Sequence, residues 1–262
     1  MPDRSWLHTL HALGGFHVLV APPPPGSDAL PWEQVLAADA LTPRFATVRE
    51  ALATGSSLPV DDVDPKVAVS ATQVGLASRL WSVTLASTVL HREVPDLSVE
   101  NLVASPVHRG TVPLGLVDPA RRYAVSSVPD AVTLIDGLVV RGSLAALNAA
   151  CAQVGRTPEQ VLVSNATSAL VGAARVLAGL RPEAGPRTWE LARALLTGTE
   201  VARGGGLHDP EGLPEGVGGP LERPDEAFLR SGCCVFYRLP GHGLCPDCVL
   251  AKGRPQDVTP AH

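Results

Sequence analysis

Apolar residues recur along most of the chain at helical spacing, interrupted by short runs rich in Val and Leu that break at Pro and Gly. Residues 18–21 read as a short strand closed by the prolines at 22–25. Helices are predicted over 32–40 and 45–54. In SSLPVDDVDP, Asp64 stands as an N-cap with Pro65 at the first helical position. The pattern behind it predicts a long helix to about His91, burying Val69, Leu76, Leu80, Trp81 and Val83. Pro95 ends that region. Residues 99–117, broken by Pro106, Gly110 and Pro113, read as two short strands, and 123–127 as a further one. Helices return over 142–154, behind a Thr157 cap followed by Pro158 and Glu159, and over 186–196 around Trp189.

The stretch RGGGLHDPEGLPEGVGGPLERP (203–224) is a break in composition, dense in Gly and Pro, and reads as a linker or long surface loop. Residues 225–230 can form a helical turn. The organisation is therefore a mainly helical body over 1–202, a Gly/Pro-rich segment over 203–224, and a compact C-terminal element over 225–262. The expected fold class is α+β: a mostly helical body with a small antiparallel sheet, followed by a four-cysteine element.

Composition narrows the function classes. Hydrophobic residues make up 45% of the 262 positions, ample for a core, and aromatics only 4%, so that core must be built from Ala, Val and Leu. A net charge of −5 argues against a surface made for nucleic acid or anionic lipid. The longest apolar stretches, 67–90 and 161–180, carry Arg79 and Arg175 near their middles, so they read as core helices rather than membrane spans. His8, His11 and His17 interrupt what would be the apolar region of a signal peptide. The chain is expected in the cytoplasm, where clustered cysteines more often bind metal or do redox work than form structural disulfides.

Four of the five cysteines lie in SGCCVFYRLPGHGLCPDC. Cys233 and Cys234 are adjacent, ten residues separate Cys234 from Cys245, and Cys248 completes Cys-Pro-Asp-Cys. The fifth, Cys151, sits in an Ala-rich helix and reads as a buried small hydrophobe. Three chemistries compete for the four: a disulfide pair, a zinc knot and an iron–sulfur cluster. Zinc usually takes two separated CxxC-like knuckles. Adjacent side chains on an extended backbone point in opposite directions, which suits the more widely spread ligands of a [2Fe–2S] cluster. Spacing alone leaves zinc and iron–sulfur both open.

The run CCVFYRLPGHGLCPDC resembles the C-terminal signature of the FhuF-type ferric siderophore reductases, with Cys233, Cys234, Tyr237, Arg238, Pro240, Gly241, Gly243, Cys245, Asp247 and Cys248 all in place. The resemblance implies that Cys233, Cys234, Cys245 and Cys248 bind a [2Fe–2S] cluster and act as its metal ligands. His242 stands where that family has a glycine-only turn, and Pro246 replaces a small residue inside CxxC. Neither removes a ligand, and His242 reads as a loop-tip side chain facing solvent or substrate. Asn165, in VLVSNATSAL, resembles the family's W-x-N-x-A region, with Ser164 where Gly is usual. From its residue type alone Asn165 is equally a cap or a buried hydrogen-bonder.

The resemblance further implies an oxidoreductase: a cytoplasmic ferric siderophore reductase that passes one electron from the cluster to an Fe(III)–siderophore of hydroxamate or catecholate type and releases Fe(II). No nucleophile or general base is then required, so no catalytic side chain is assigned. RGGGLHD lacks a phosphate-loop lysine, and no flavin or nicotinamide fingerprint is visible. A separate electron donor, a ferredoxin or a reductase, is expected, with contact to the membrane face left open. Arg230 and Arg238 flank the ligands, either as charges acting on the cluster, an anionic chelate or an acidic donor, or as solvated surface charges. Trp81, Trp189 and Arg79 read as core before pocket. The rival readings are an iron–sulfur carrier or iron sensor without siderophore turnover, and a zinc-stabilised interaction protein.

Overall fold

The computed structural model describes residues 5–24, 26–106, 112–213, 218–221 and 226–253. The expected break at Gly110, part of the Gly/Pro-rich segment and the chain end beyond 253 lie outside them. The chain opens with α1 (Ser5–Leu13), β1 (Leu19–Val20), β2 (Leu30–Pro31), α2 (Trp32–Val35) and α3 (Ala38–Gly55). The central helix α4 (Pro65–His91) follows, then β3 (Glu93–Pro95), β4 (Leu102–Ala104), β5 (Leu114–Leu116) and β6 (Arg122–Ala124). The second half holds α5 (Val128–Ile135), α6 (Ala145–Gly155), α7 (Glu159–Leu180) and α8 (Gly185–Gly198), then β7 (Gly205–His208), β8 (Gly219–Pro220) and β9 (Ala227–Arg230).

Two long helices, α4 and α7, form the centre. Helix α4 starts where the Asp64 carboxylate accepts the Lys66 N–H at 2.9 Å and Pro65 supplies a preset φ. It ends at Arg92, which takes the left-handed conformation at φ 55°. Between these ends it is buried almost all round, including Trp81, Leu76 and Leu80. A helix apolar on every side belongs in the middle of a bundle, and α1, α3, α6, α7 and α8 all pack on it. Two helical stretches, Val128–Gly155 and Glu159–Leu180, are long and apolar enough to cross a membrane by length and composition; in this fold 67% of an 18-residue apolar window of the second is buried against other elements.

Three small sheets flank the helices. The first has the order β1-β5-β4-β2, antiparallel except for the parallel β1–β5 pair; β3 and β6 pair antiparallel; and β7-β9-β8 form a third, antiparallel sheet.

Several local expectations are corrected. The helix break falls at Leu36–Ala37, where Ala37 is extended, and α3 begins ahead of Pro43, which lies inside it. Residues 128–155 form a kinked helical stretch in which α5 and α6 are joined by π-helical turns (Asp136–Leu144) containing a non-helical Gly142, a feature no 3.6-residue pattern reveals. Thr157 does not cap α7. Its hydroxyl donates to the Gly155 carbonyl at 3.1 Å, and Pro158 takes the cap position. The predicted helical turn before the cysteines is strand β9, because its Ala-Phe-Leu-Arg backbone is claimed by β7 on one side and β8 on the other. The Gly/Pro-rich segment thus supplies strands: β7 pairs with β9 from Gly205↔Arg230 to His208↔Ala227.

Candidate functional site

Strand β9 delivers the chain to α7, where only glycine allows the approach. A Cβ on Gly232 would lie 2.9 Å from the Gln160 carbonyl oxygen. Cys233 and Cys234 follow, and Val235 then takes φ 62°, left-handed backbone that a β-branched residue avoids. Its side chain is the reason the conformation holds. Val235 and Leu239 are buried in a small core with Ala53, Val63, Val67 and Val161, which ties the cysteine loop to α3, α4 and α7. A 3₁₀ turn (Phe236–Arg238) and Gly241 and Gly243, at φ 81° and 71°, turn the chain back. Cys245 and Cys248 come next, in a turn closed by the Cys248 N–H on the Cys245 carbonyl at 3.0 Å.

This path brings the four thiols together, and all are free. The sulfurs of Cys234 and Cys245 are 3.3 Å apart, and the Cys233 thiol interacts with those of Cys234 and Cys248. The Val235 N–H donates to the Cys233 Sγ at 3.3 Å. Cys234 and Cys248 are buried, whereas Cys233 and Cys245 reach the surface. Hydrogen bonds from Cys233 and Cys245, followed by the charge of Arg230, hold Cys234 down at about 2. Cys248 is lowered to about 7 by the bond from Cys233, and those same bonds push Cys233 and Cys245 up. Cys234 and Cys248 are thus drawn towards thiolate, the form that ligates metal, while Cys233 and Cys245 keep their protons as the partners that donate to them. In this closed-up arrangement no three His, Cys, Asp or Glu side chains among the described residues surround a position for a single ion.

A buried polar network docks the loop on the body. The Ser70 hydroxyl in α4 donates to the Cys234 carbonyl at 2.8 Å and accepts from the Asn165 amide of α7, also at 2.8 Å. The Asn165 carbonyl accepts from Arg230 at 2.8 Å, and the Arg230 Nε donates to Asp247 at 3.0 Å. Asp247 also accepts from Ser168 at 2.6 Å, while its backbone carbonyl accepts the Arg230 N–H. One turn away, Ser164 bridges the carbonyls of Gly204 and Gly232, both 2.8 Å from its hydroxyl. Ser70, Ser164 and Asn165 are fully buried, and Arg230 is 7% exposed.

Residues 230–250 match the family model described as the FhuF 2Fe-2S C-terminal domain. The chain carries a FhuF-type [2Fe–2S] domain. Its cofactor is a [2Fe–2S] cluster, and the residues present fit that group: a cluster of this kind takes four thiolates, and four free thiols converge here with two of them drawn towards the ionised form. The match begins at Arg230, the first residue of the docking network, and leaves the helical body outside it. No curated protein matches the chain.

The other singled-out residues separate cleanly. Arg230 is buried and bonded, not a solvated surface charge; Arg238 is at the surface, 2.6 Å from Asp64. His242 is half-buried and packs on the Phe236 ring, with centroids 5.2 Å apart. Trp81 and Trp189 are core, and Trp81 donates to the Ala166 carbonyl at 2.9 Å. Buried Arg79 ties the Phe16, Val18 and Val112 carbonyls to α4, and burial lowers its pKa to about 10. Cys151 is buried, its thiol pushed up to about 12 by desolvation. His11 and His17 bond to the Leu19 and Gly14 carbonyls. Ser70 and Ser168 were not singled out from the sequence, and Ser164 only as a departure from Gly, so the docking role of all three was missed. Their signal was faint: hydroxyls inside apolar helical runs, where solvent exposure is the usual reason for a polar residue.

Proposed function

We propose that this protein is a ferric siderophore reductase of the cytoplasm. In this reading Cys233, Cys234, Cys245 and Cys248 hold the [2Fe–2S] cluster. The observation that carries it is the pairing of four converging free thiols with their exposure: two buried, two at the surface, on a loop fastened to the helical body by buried hydrogen bonds. A bound cluster supplies a one-electron couple.

The chain's own residues do the rest. The thiolates bind, the Val235 N–H stabilises charge on the Cys233 sulfur, and the small core around Val235 and Leu239 excludes water from one side. Cys233 and Cys245 leave an edge open to a docked ferric chelate. Overall, one electron from a separate ferredoxin or reductase converts Fe(III)–siderophore to Fe(II) and free siderophore. Fe(II) is held more weakly by hydroxamate or catecholate oxygens, so the metal is released. No bond to the protein forms, and no proton-transfer residue is needed.

The test begins with anaerobically purified protein: iron and sulfide analysis, visible spectra, and EPR before and after one-electron reduction. Ferric hydroxamate and catecholate siderophores are then added to the reduced protein with a chromogenic Fe(II) chelator. The expected result is two irons and two sulfides per chain, an EPR signal only on reduction, and stoichiometric Fe(II) release as that signal disappears. A colourless protein with one zinc after reconstitution would overturn the redox reading. A reduced cluster indifferent to every ferric chelate would leave an electron carrier or sensor.

A further inference from the structure

Arg230 and Asp247 place a pair of opposite charges, 3.0 Å apart, beside the thiol set: Asp247 stands between Cys245 and Cys248 in sequence, and its backbone carbonyl accepts the Arg230 N–H. The Arg230 guanidinium acts on Cys234 and Cys245, whereas the Asp247 carboxylate acts on Cys245 and Cys248. Both side chains are withdrawn from water, 7% and 15% exposed. Their orientation is imposed from outside the loop: the Asn165 carbonyl takes one guanidinium N–H, and the Ser168 hydroxyl holds the carboxylate. Arg238, which follows the first cysteine pair, is exposed and neutralised by Asp64. A charge held rigidly in a poorly solvated site acts far more strongly on its neighbours than one in water.

We propose that Arg230 sets the reduction potential of the bound cluster, holding it up by stabilising the extra negative charge of the reduced state, with Asp247 as the opposing charge that limits the effect. This rests on the cysteines holding the [2Fe–2S] cluster, and it goes beyond that reading by assigning the potential to a residue that is not a ligand. Adding one electron makes the cluster and its thiolates more negative by one charge. The guanidinium beside Cys234 and Cys245 favours that state, and the carboxylate beside Cys245 and Cys248 disfavours it. Removing Arg230 acts twice in one direction, since it deletes the cation and leaves Asp247 uncompensated. A buried arginine serving only to fasten the loop would change stability but not the potential.

The experiment is potentiometric titration of the loaded full-length protein, followed by EPR and visible absorption. Arg230→Gln is expected to lower the reduced-to-oxidised ratio at a fixed solution potential at least tenfold, which is about 59 mV downward for a one-electron couple. Asp247→Asn is expected to move the midpoint upward. Arg230→Lys keeps the charge and should stay near wild type, as should Arg238→Gln. Wild-type midpoints in both Arg230→Gln and Asp247→Asn, with two irons and two sulfides still bound, overturn the proposal and leave the cluster reading intact. Should Arg230→Gln not hold a cluster, Asp247→Asn decides: an upward shift supports the proposal, and none overturns it. A wild-type protein that binds no cluster removes both readings together.

Discussion

Ser70, in the second turn of the central helix, donates its hydroxyl proton to the main-chain carbonyl of Cys234 at 2.8 Å, across 164 residues of sequence. The same oxygen accepts from Asn165, so a single hydroxyl joins α4, α7 and the cysteine loop. Ser70→Ala leaves two buried polar groups without their partner, and each such group costs about 1–3 kcal/mol. The expected outcome is a lower thermal midpoint together with faster loss of iron to a chelator. Calorimetry and chelator-challenge kinetics on the same variant measure the two effects. Unchanged iron release would mean that the loop does not depend on this anchor.

Asp64 has two tasks that different substitutions separate. One carboxylate oxygen caps α4 through the Lys66 N–H, and the other takes Arg238 from the cysteine loop at 2.6 Å. Asp64→Asn keeps an N-capping side chain and loses only a surface ion pair, so it should cost well under 1 kcal/mol. Asp64→Ala loses both and should cost about 1 kcal/mol more. Urea unfolding of the two variants gives the difference.

Gly204 lies where β7 begins to leave α7. A Cβ there would overlap the Thr167 hydroxyl and the Val163 carbonyl. Gly204→Ala must push the strand off the helix, and overpacking of this kind costs about 1–3 kcal/mol. The Gly204 carbonyl accepts from Ser164 and from the Ser231 N–H, so the shift is transmitted to the residue two before Cys233. The expected result is a lowered thermal midpoint and reduced iron occupancy after reconstitution, read by metal analysis.

His17 supplies a pH dependence remote from the cysteines. Burial holds its pKa below the ordinary 6.5; the bond to the Gly14 carbonyl opposes this, and the positive charge of Arg79 adds a smaller push downward. The folded state therefore prefers neutral imidazole. Stability is undiminished above about pH 6.5 and falls as the pH drops below that value, because the unfolded chain takes up the proton more readily. Between pH 8 and pH 5, wild type should lose more thermal stability than His17→Phe. Parallel curves for the two proteins would remove His17 as the cause.

The legible parts of the fold were those fixed by local chemistry. Asp64 followed by Pro65 announced the start of α4, and the Val- and Leu-rich segments around Pro106 and Pro113 became β4 and β5. Trp189 sits within α8 as its apolar spacing required. Residues 227–230 failed for an instructive reason. Four residues carry no usable period, and what makes them a strand is the presence of β7 and β8 on either side. The π-helical turns before α6 are equally invisible, since the extra residue per turn is tolerated only because the surrounding helices hold both ends.

At the site, the sequence by itself determined the identity and spacing of the four cysteines, and hence the chemistry of the donor set, because ligand type and short-range separation are properties of the chain. It also held Asp247 inside the Cys-Pro-Asp-Cys run. Only the tertiary structure decided which groups surround those cysteines. Ser70, Ser164, Asn165 and Ser168 reach the loop from helices up to 164 residues away. Arg230, equally readable as a solvated charge, became a buried one. Burial and charge pairing depend on what the fold brings alongside a residue, and a buried guanidinium persists only where acceptors such as Asn165 and Asp247 are positioned to replace the water it has lost.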